Sequence, residues 1–330
     1  MSRCLWCGAE LPTGSRGHFC KSSGHHILFK NKLLRELADG TITQEGREWL
    51  EFFHWMPTEV SAPVVETPVV NEISNDLSIN RKFGVELECF IPDNDSDIIS
   101  EVRSHGVEMT HTGYNHDTVS YWKSLYDSSI RPDYGFIQKE YVSPPLEGDK
   151  GLKDLCVVCD VIKKNNGRTN YSTGTHIHLD ASDLAPQDLA KIIYFYGKFE
   201  SQFDALFGDT RKASRNRFCK SVRRFVNYCK YSGFEYFSNI GRLERVMKTR
   251  YVKVNVYSYL KHGTIEFRQH DGTLDGQDLT MWIKLCTRVV DFVKNGGDVI
   301  NVRGSIFNIL GCTKKEKDYW KGVKAANRAA

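Results

Sequence analysis

The chain has 330 residues, which suits one large domain with a smaller appendage, and its 40% apolar and 26% charged residues are ordinary for a globular protein. The formal net charge of +4 is too small to indicate nucleic acid binding, and the lack of a long apolar run excludes a transmembrane helix. Ten cysteines without an apolar N-terminal signal indicate free thiols or metal ligands in a reducing compartment. The protein is therefore predicted to be cytoplasmic and to have no membrane partner.

The first 30 residues contain a zinc-ligand pattern, with three free thiols as the alternative. The predicted ligands are Cys4, Cys7, Cys20 and His25, with His26 as a competitor of His25. Two thiolates on a tight turn and a distant Cys–His pair suit tetrahedral Zn²⁺. Because so short a segment cannot bury a useful core, the metal would supply its folding energy. Residues 1–30 are predicted to form a zinc-ribbon-like module, which is either structural or in contact with a protein or nucleic acid.

Residues 31–80 are predicted to hold a helical segment followed by an extended linker. Thr43 is in a position to cap a helix, and three prolines then interrupt a stretch rich in valine, threonine and serine. The catalytic domain is expected to span residues 81–330.

Three segments of this domain combine a glycine-containing turn with alternating polar and apolar residues; they are residues 83–90, 172–180 and 263–270. Alternate side chains of a strand share a face, so each segment is predicted to place its ionisable groups on one side. Those groups are Glu86 and Glu88, then His176, His178 and Asp180, and finally Glu266, Arg268 and His270. One such strand alone can be the solvated face of an antiparallel sheet, but three together predict a shared cleft. Converging carboxylates and imidazoles need cations, and oxygen ligands favour Mg²⁺ or Mn²⁺.

Further predicted elements frame these strands. A strand beginning at Glu140 is predicted to end at Pro144, and Asp127 before it either faces the cleft or forms a turn. Helices are predicted over residues 151–165, 188–207 and 278–294. A strand over 251–257 is predicted to pair in a hairpin with the third of the segments above, and the last thirty residues show little pattern.

The most basic stretch of the chain, residues 211–224, holds seven arginines and lysines. It is either a solvated face or a clamp for phosphate or carboxylate groups, because arginine forks suit both anions. The residues alone leave both interpretations open.

Four of these motifs resemble the motif set of the amidoligase family. They are FGVELE, EYVSPPL, STGTHIHLD and TIEFRQHDGTLD, in that order along the chain. The order G-x-E-x-E, G-x-H-x-H and E-x-R is also that of glutamine synthetases and glutamate–cysteine ligases. The resemblance covers roughly residues 81–295.

The resemblance implies an α+β fold, in which an antiparallel sheet of the glutamine synthetase-like type carries the site and helices back it. It implies metal ligands at Glu86, Glu88, Glu140, His176 and Glu266. It implies that the nucleotide is bound by His178, Arg215 and Lys220, and that Arg268 stabilises the transferring phosphoryl group. Glu140 and Asp127 are candidates for the residue that deprotonates the amine, and the sequence does not identify which. The implied cofactors are ATP and Mg²⁺ or Mn²⁺.

The predicted reaction is the ATP-dependent joining of a carboxylate and an amine through an acyl phosphate, which gives an amide or isopeptide bond. Three alternatives stay open: a phosphotransferase of the guanidino-kinase type, an ATP-independent metal-dependent hydrolase, and a zinc-finger binding protein with an inactive ligase domain. Candidate substrates are amino acids, peptides, cell-wall fragments, proteins and modified nucleobases.

Overall fold

The structure is a computed structural model that describes residues 29, 32–33, 36–37, 40–53, 79–113, 115 and 117–329. The chain divides into two compact units, Met1–Glu72 and Ile73–Ala330. The predicted zinc ligands Cys4, Cys7, Cys20 and His25 lie outside the described residues. The zinc module therefore stays a prediction.

Cys4→Ser is expected to remove zinc from the purified protein, because a structural tetrahedral site needs all four of its ligands. Metal analysis should find about one zinc per wild-type chain and far less in the variant. Cys156→Ser, which changes a thiol on a helix of the second unit, is the control and should retain the zinc. Equal zinc in all three proteins would contradict the prediction.

The first unit contains helix α1, which spans Gln44–Phe52. Its N-terminus is capped by Thr43, whose hydroxyl oxygen accepts a hydrogen bond from the amide of Gly46. The cap lies where the sequence predicts it. The buried apolar residues described in this unit are Phe29, Leu33, Ile42 and Leu50.

The second unit is built on one seven-stranded sheet. Its strands are β1 (Phe83–Ile91), β2 (Met109–His111), β3 (Trp122–Leu125), β4 (Ile137–Val142), β5 (Gly174–Asp180), β6 (Val254–Asn255) and β7 (Thr264–Asp271). Their order is β2-β3-β4-β1-β5-β7-β6, and every neighbouring pair is antiparallel except β2 and β3. The three segments predicted to carry ionisable groups are β1, β5 and β7, which lie side by side. The prediction of a mainly antiparallel sheet combined with helices is confirmed.

Three long helices lie beside the sheet; the helix Gly276–Lys294 packs against Gly148–Lys164 and Pro186–Lys198 and also contacts β5. The described helices of this unit are α2 (Ser96–Ser104), α3 (Gly148–Lys164), α4 (Pro186–Lys198), α5 (Glu200–Asp204), α6 (Arg223–Ser232), α7 (Ile240–Met247), α8 (Tyr259–His262), α9 (Gly276–Lys294), α10 (Ile306–Ile309) and α11 (Lys314–Ala329). None of the helices that the described residues form has both the length and the apolar character to cross a membrane.

Alternation of side chains gives the sheet an apolar and a polar face. Val85 and Leu87 of β1, Ile177 of β5 and Phe267 of β7 are at most 1% exposed and belong to the main core. Burial of each such side chain stabilises the fold by about 1.5–3 kcal/mol. Because a slip of one residue would turn all of them to the other face, this burial fixes the register of the strands. The ionisable residues between them then emerge together on the polar face.

A β-bulge interrupts the alternation in β7. Thr175 of β5 pairs with His270, whereas Ile177 pairs with Phe267, so β7 holds one extra residue between the two pairs. The bulge turns His270 away from the other two ionisable residues of the strand, and its Nε2 lies 3.4 Å from a carboxylate oxygen of Asp278 on α9. The prediction that His270 shares their face is wrong, because an extra residue reverses the side to which a strand residue points.

A buried ion cluster fastens the basic stretch to the sheet. Lys253 is completely buried and pairs with Glu200 and Asp204, which lie at the two ends of α5. Asp204 also accepts a hydrogen bond from the amide of Ala213 at 3.0 Å, and Glu200 accepts one from the amide of Val222 at 2.9 Å. Buried charges are stable when they are paired and hydrogen-bonded. These contacts fix both ends of the loop between the two amides.

Several elements differ from the sequence prediction. The helix expected over residues 188–207 is divided into α4 and α5 at Phe199. The expected 251–257 strand is reduced to β6, and its connection to β7 contains the short helix α8. The C-terminal region, expected to lack pattern, forms α10 and α11. The ion pair between Arg288 and Glu316, at 2.9 Å, and the burial of Trp320 hold α11 against the core.

Candidate active site

The polar face of the sheet forms the floor of a cavity of about 720 Å³. Its ionisable lining residues on the sheet are Glu86, Glu88, Lys123, Glu140, His176, His178, Asp180, Glu266 and Arg268. Every side chain predicted as a magnesium ligand therefore opens into one cavity, together with two of the predicted phosphate-contacting groups.

The strand register brings the acidic and imidazole groups into contact. The opposed pairs are Glu86 with His176, Glu88 with Glu140, and His178 with Glu266. Directly opposed residues in an antiparallel pair have Cβ atoms about 4.5–5.5 Å apart. Groups from β1, β4, β5 and β7 thus become neighbours although they are distant in the sequence.

Two groups of three side chains have the spacing of metal ligands. One consists of Glu86, His176 and Glu266, the other of Glu88, Glu140 and His176, and the ligand atoms of each lie within 4.8 Å of one another. We call them the two triplets. The shared imidazole has its Nδ1 2.9 Å from Glu86 Oε2 and its Nε2 3.5 Å from Glu88 Oε1. Its two nitrogens therefore face different triplets.

The carboxylates of the cluster repel one another. Burial, followed by repulsion from Glu86 and Glu88, raises the pKa of Glu140 well above its usual range. Burial also raises the pKa of Glu88. For Glu86, burial alone would raise the pKa, but contacts with His176 and His178 outweigh it and hold the pKa well below the usual value. A bound cation would relieve the repulsion between these groups.

His178 presents a buried nitrogen to the cavity. Its Nδ1 lies 3.1 Å from the hydroxyl oxygen of Thr264. Its Nε2 lies 3.2 Å from Glu86 Oε1, but without the alignment of a hydrogen bond, so this atom has no hydrogen-bond partner among the described residues. Burial lowers the pKa of His178, but the charge of Glu266, followed by the contact with Glu86, raises it overall.

Arg268 brings a guanidinium group to the edge of the cluster. It forms an ion pair with Glu266, and its Nε donates a hydrogen bond to the carbonyl oxygen of Phe218 at 3.3 Å. Burial alone would lower the pKa of Arg268, but attraction to Glu266 and then to Glu86 raises it. The side chain therefore stays charged while it is almost enclosed.

Asp127 lies at the cavity and also forms a turn, so both interpretations of the sequence hold. Its Oδ1 accepts a hydrogen bond from the amide of Ser129 at 2.7 Å, and its side chain is among the lining residues. It belongs to neither triplet. Its carboxylate is therefore separate from the groups with metal-ligand spacing.

A family model described as "putative amidoligase enzyme" matches residues 79–290, which is more than half of the chain. The chain belongs to the amidoligase family. The matched region contains all seven strands of the sheet and both triplets. No curated protein matches the chain. Membership in the amidoligase family indicates a ligase-type enzyme and confirms the resemblance seen in the sequence.

Two side chains of this amidoligase that were predicted to bind a nucleotide do not line the cavity. The side chain of Arg215 is 61% exposed and pairs with Asp209 at 3.0 Å. Lys220 is also exposed, and its amide and carbonyl groups bond to Tyr251 and Lys253. The anchored backbone of the loop directs both side chains away from the cavity, and the prediction that Arg215 and Lys220 bind a nucleotide stays a prediction.

Further residues of the amidoligase, from two basic runs of the sequence, occupy the cavity walls. They are Arg211, Asn216, Phe218, Arg250 and Tyr251. They come from the basic stretch and from the run before β6. The abundance of basic and aromatic residues in both runs is the sequence feature that could have indicated residues of the site. Loop geometry decides which of them reach the site.

Lys123 of β3 also lines the cavity. It is 4% exposed, and its Nζ donates hydrogen bonds to the carbonyl oxygen of Asn115 at 3.3 Å and to that of Asp117 at 2.9 Å. Burial lowers its pKa. A buried ammonium group bonded to neutral oxygens adds positive charge to this side of the cavity.

Proposed function

We propose that the chain joins a carboxylate to an amine with ATP, through an acyl phosphate, and forms an amide or isopeptide bond. The observation that carries the proposal is the pair of carboxylate–histidine triplets that share His176, with Arg268 at their edge. Phosphoryl transfer depends mainly on positioning and on neutralisation of charge. A buried acidic cluster beside a fixed guanidinium group provides for both.

The donor set of the triplets fits magnesium or manganese. It consists of four carboxylates and one imidazole, and sets rich in oxygen favour hard divalent cations. The residues that would hold the ions are Glu86, Glu88, Glu140, His176 and Glu266. When bound, such ions bridge phosphate oxygens and neutralise charge during phosphoryl transfer.

Arg268 and His178 are proposed to contact the phosphates. The guanidinium fork of Arg268 can donate two hydrogen bonds to oxygens of the transferring group, where negative charge develops. His178 can donate through Nε2, the buried nitrogen that lacks a hydrogen-bond partner among the described residues. Both side chains are held from behind, Arg268 by Phe218 and His178 by Thr264, so they need little rearrangement.

The proposed reaction has two steps. A carboxylate oxygen of the acid substrate attacks the γ-phosphorus, the bond to the bridging oxygen breaks, and ADP leaves with the electron pair. The amine then attacks the acyl carbon, inorganic phosphate leaves, and the nitrogen loses a proton. Asp127 is proposed to accept that proton, because it lines the cavity outside the triplets, and Glu140 is the second candidate.

The test combines purified protein, ATP and magnesium with pools of acids and amines drawn from amino acids, peptides, cell-wall fragments and modified nucleobases. A ligase should release ADP and phosphate in equal amounts, form a new amide detectable by mass spectrometry, and stop when either pool is left out. A phosphotransferase would release ADP without phosphate, and a hydrolase would act without ATP. Either result, or failure of the protein to bind ATP, would contradict the proposal.

A further inference from the structure

Two aromatic rings form part of the cavity wall next to Arg268. Phe218 comes from the basic stretch and Tyr251 from the run before β6, and both are half-buried and line the cavity. Their ring centroids are 5.4 Å apart with an interplanar angle of 75°. Half-exposed aromatic rings at a cavity wall can stack on a planar ligand.

Arginine side chains surround these rings. The guanidinium carbon of Arg217 lies 4.5 Å from the ring centre of Phe218, and those of Arg250 and Arg268 lie 5.2 and 5.9 Å from that of Tyr251. The hydrogen bond from Arg250, followed by its charge and that of Arg268, lowers the pKa of Tyr251. We call Phe218, Tyr251 and Arg250, which line the cavity, the aromatic wall; it joins π-faces to positive charge.

The backbone fixes the aromatic wall relative to the acidic cluster. The amide of Lys220 donates to the carbonyl oxygen of Tyr251 at 3.0 Å, and the amide of Lys253 donates back to the carbonyl oxygen of Lys220 at 3.0 Å. Arg268 in turn donates its Nε hydrogen bond to Phe218. The buried ion pairs of Lys253 anchor the same segment. The two rings are therefore held in place before any ligand arrives, which lowers the entropy cost of binding.

We infer that the aromatic wall is the site of the nucleotide, with Phe218 and Tyr251 against the base and Arg250 at the phosphates nearest to it. The inference rests on the proposed function, since it concerns the ATP of that reaction. Arg268 contacts both Tyr251 and Glu266. A nucleotide whose base lies at the aromatic wall can therefore extend its triphosphate along Arg268, with the γ-phosphoryl group at the triplets. A carboxylate substrate would be bound by cations and would gain little from two aromatic rings. A nucleotide has a base whose π-face can stack on the rings and phosphates that suit arginine forks.

Tyr251→Ala is expected to weaken ATP binding by about tenfold or more, because base–aromatic stacking is worth about 1–3 kcal/mol. Binding of inorganic triphosphate, which has no base, should change by less than about twofold, since the arginines and the triplets remain. Tyr251→Phe keeps the ring and should lose much less ATP affinity than Tyr251→Ala. Calorimetry with ATP and with inorganic triphosphate, both in magnesium buffer, gives these values.

Tyr231→Ala is the matched control, since Tyr231 is 94% exposed and does not line the cavity. It should bind both compounds as the wild type does. If the wild type binds ATP and folded Tyr251→Ala and Phe218→Ala bind it equally well, the aromatic wall is not the nucleotide site, while the proposed function still stands. Loss of triphosphate binding together with ATP binding would also overturn the assignment of the rings to the base. A wild type that binds no ATP would overturn the proposed function itself.

Discussion

Arg268→Lys is expected to slow ATP-dependent turnover by about 10³-fold or more, because an arginine that stabilises a transferring phosphoryl group contributes about that much. Lysine keeps the positive charge but lacks the planar fork that can hold two oxygens at once. It would also lose the hydrogen bond from Nε to Phe218, which orients the side chain. ATP affinity should fall far less than turnover, since the metal ligands and His178 remain.

The measurement is the rate of ADP release with acid and amine present, together with calorimetric binding of ATP. Arg224→Lys is the control, because Arg224 is exposed on α6 and does not line the cavity. Equal rates in wild type and Arg268→Lys would remove Arg268 from the mechanism. A parallel loss of rate and affinity would instead make it a ground-state binding residue.

His176→Ala is expected to weaken binding of divalent cations and to lower turnover by at least about 100-fold, since even outer partners of metal ligands are worth about 10–100-fold. His176 is the member common to both triplets, and its two nitrogens face Glu86 and Glu88. Its removal takes a ligand from each group and leaves the carboxylates without their imidazole neighbour. The loss should therefore exceed that from a change in a residue of one triplet only, such as Glu266→Gln.

Manganese serves as the probe for this prediction, because its paramagnetic signal reports binding directly. Titrations of wild type, His176→Ala and Glu266→Gln are compared with His105→Ala, an exposed histidine outside the cavity. Thermal unfolding shows whether each variant is folded. Wild-type manganese affinity in folded His176→Ala would contradict a metal site at the triplets.

The sequence was most informative where strands are regular and one face is buried. In β1 and β5 the alternation of apolar and ionisable residues predicts which side chains share a face, and the structure has Glu86, Glu88, His176 and His178 at one cavity. Exposure of these apolar side chains would cost several kcal/mol of stability, so the alternation reliably predicts the face there. The order of the motifs also predicted the family, which the match over residues 79–290 confirms.

The sequence was least informative where the backbone departs from a regular repeat. A bulge turns His270 to the face of the sheet that packs against helices, and no spacing in the sequence predicts this bulge. In the basic stretch, Arg215 points outward while Phe218 reaches the cavity. That choice depends on the ion pairs of Lys253, whose partners lie about 50 residues earlier in the chain. Such contacts are properties of the folded chain.

The type of chemistry available can be read from the sequence: acidic and imidazole groups lie on strands whose opposite faces are apolar. Local alternation is enough for that, because it follows from the two-residue repeat of a strand. The order of the strands, in contrast, is a property of the folded chain: β1 lies between β4 and β5, so Glu88 is opposite Glu140 and Glu86 is opposite His176. The tertiary structure also decides which loop residues form the aromatic wall. These outcomes depend on contacts between distant segments, and those form only when the chain has paid the entropy of bringing them together.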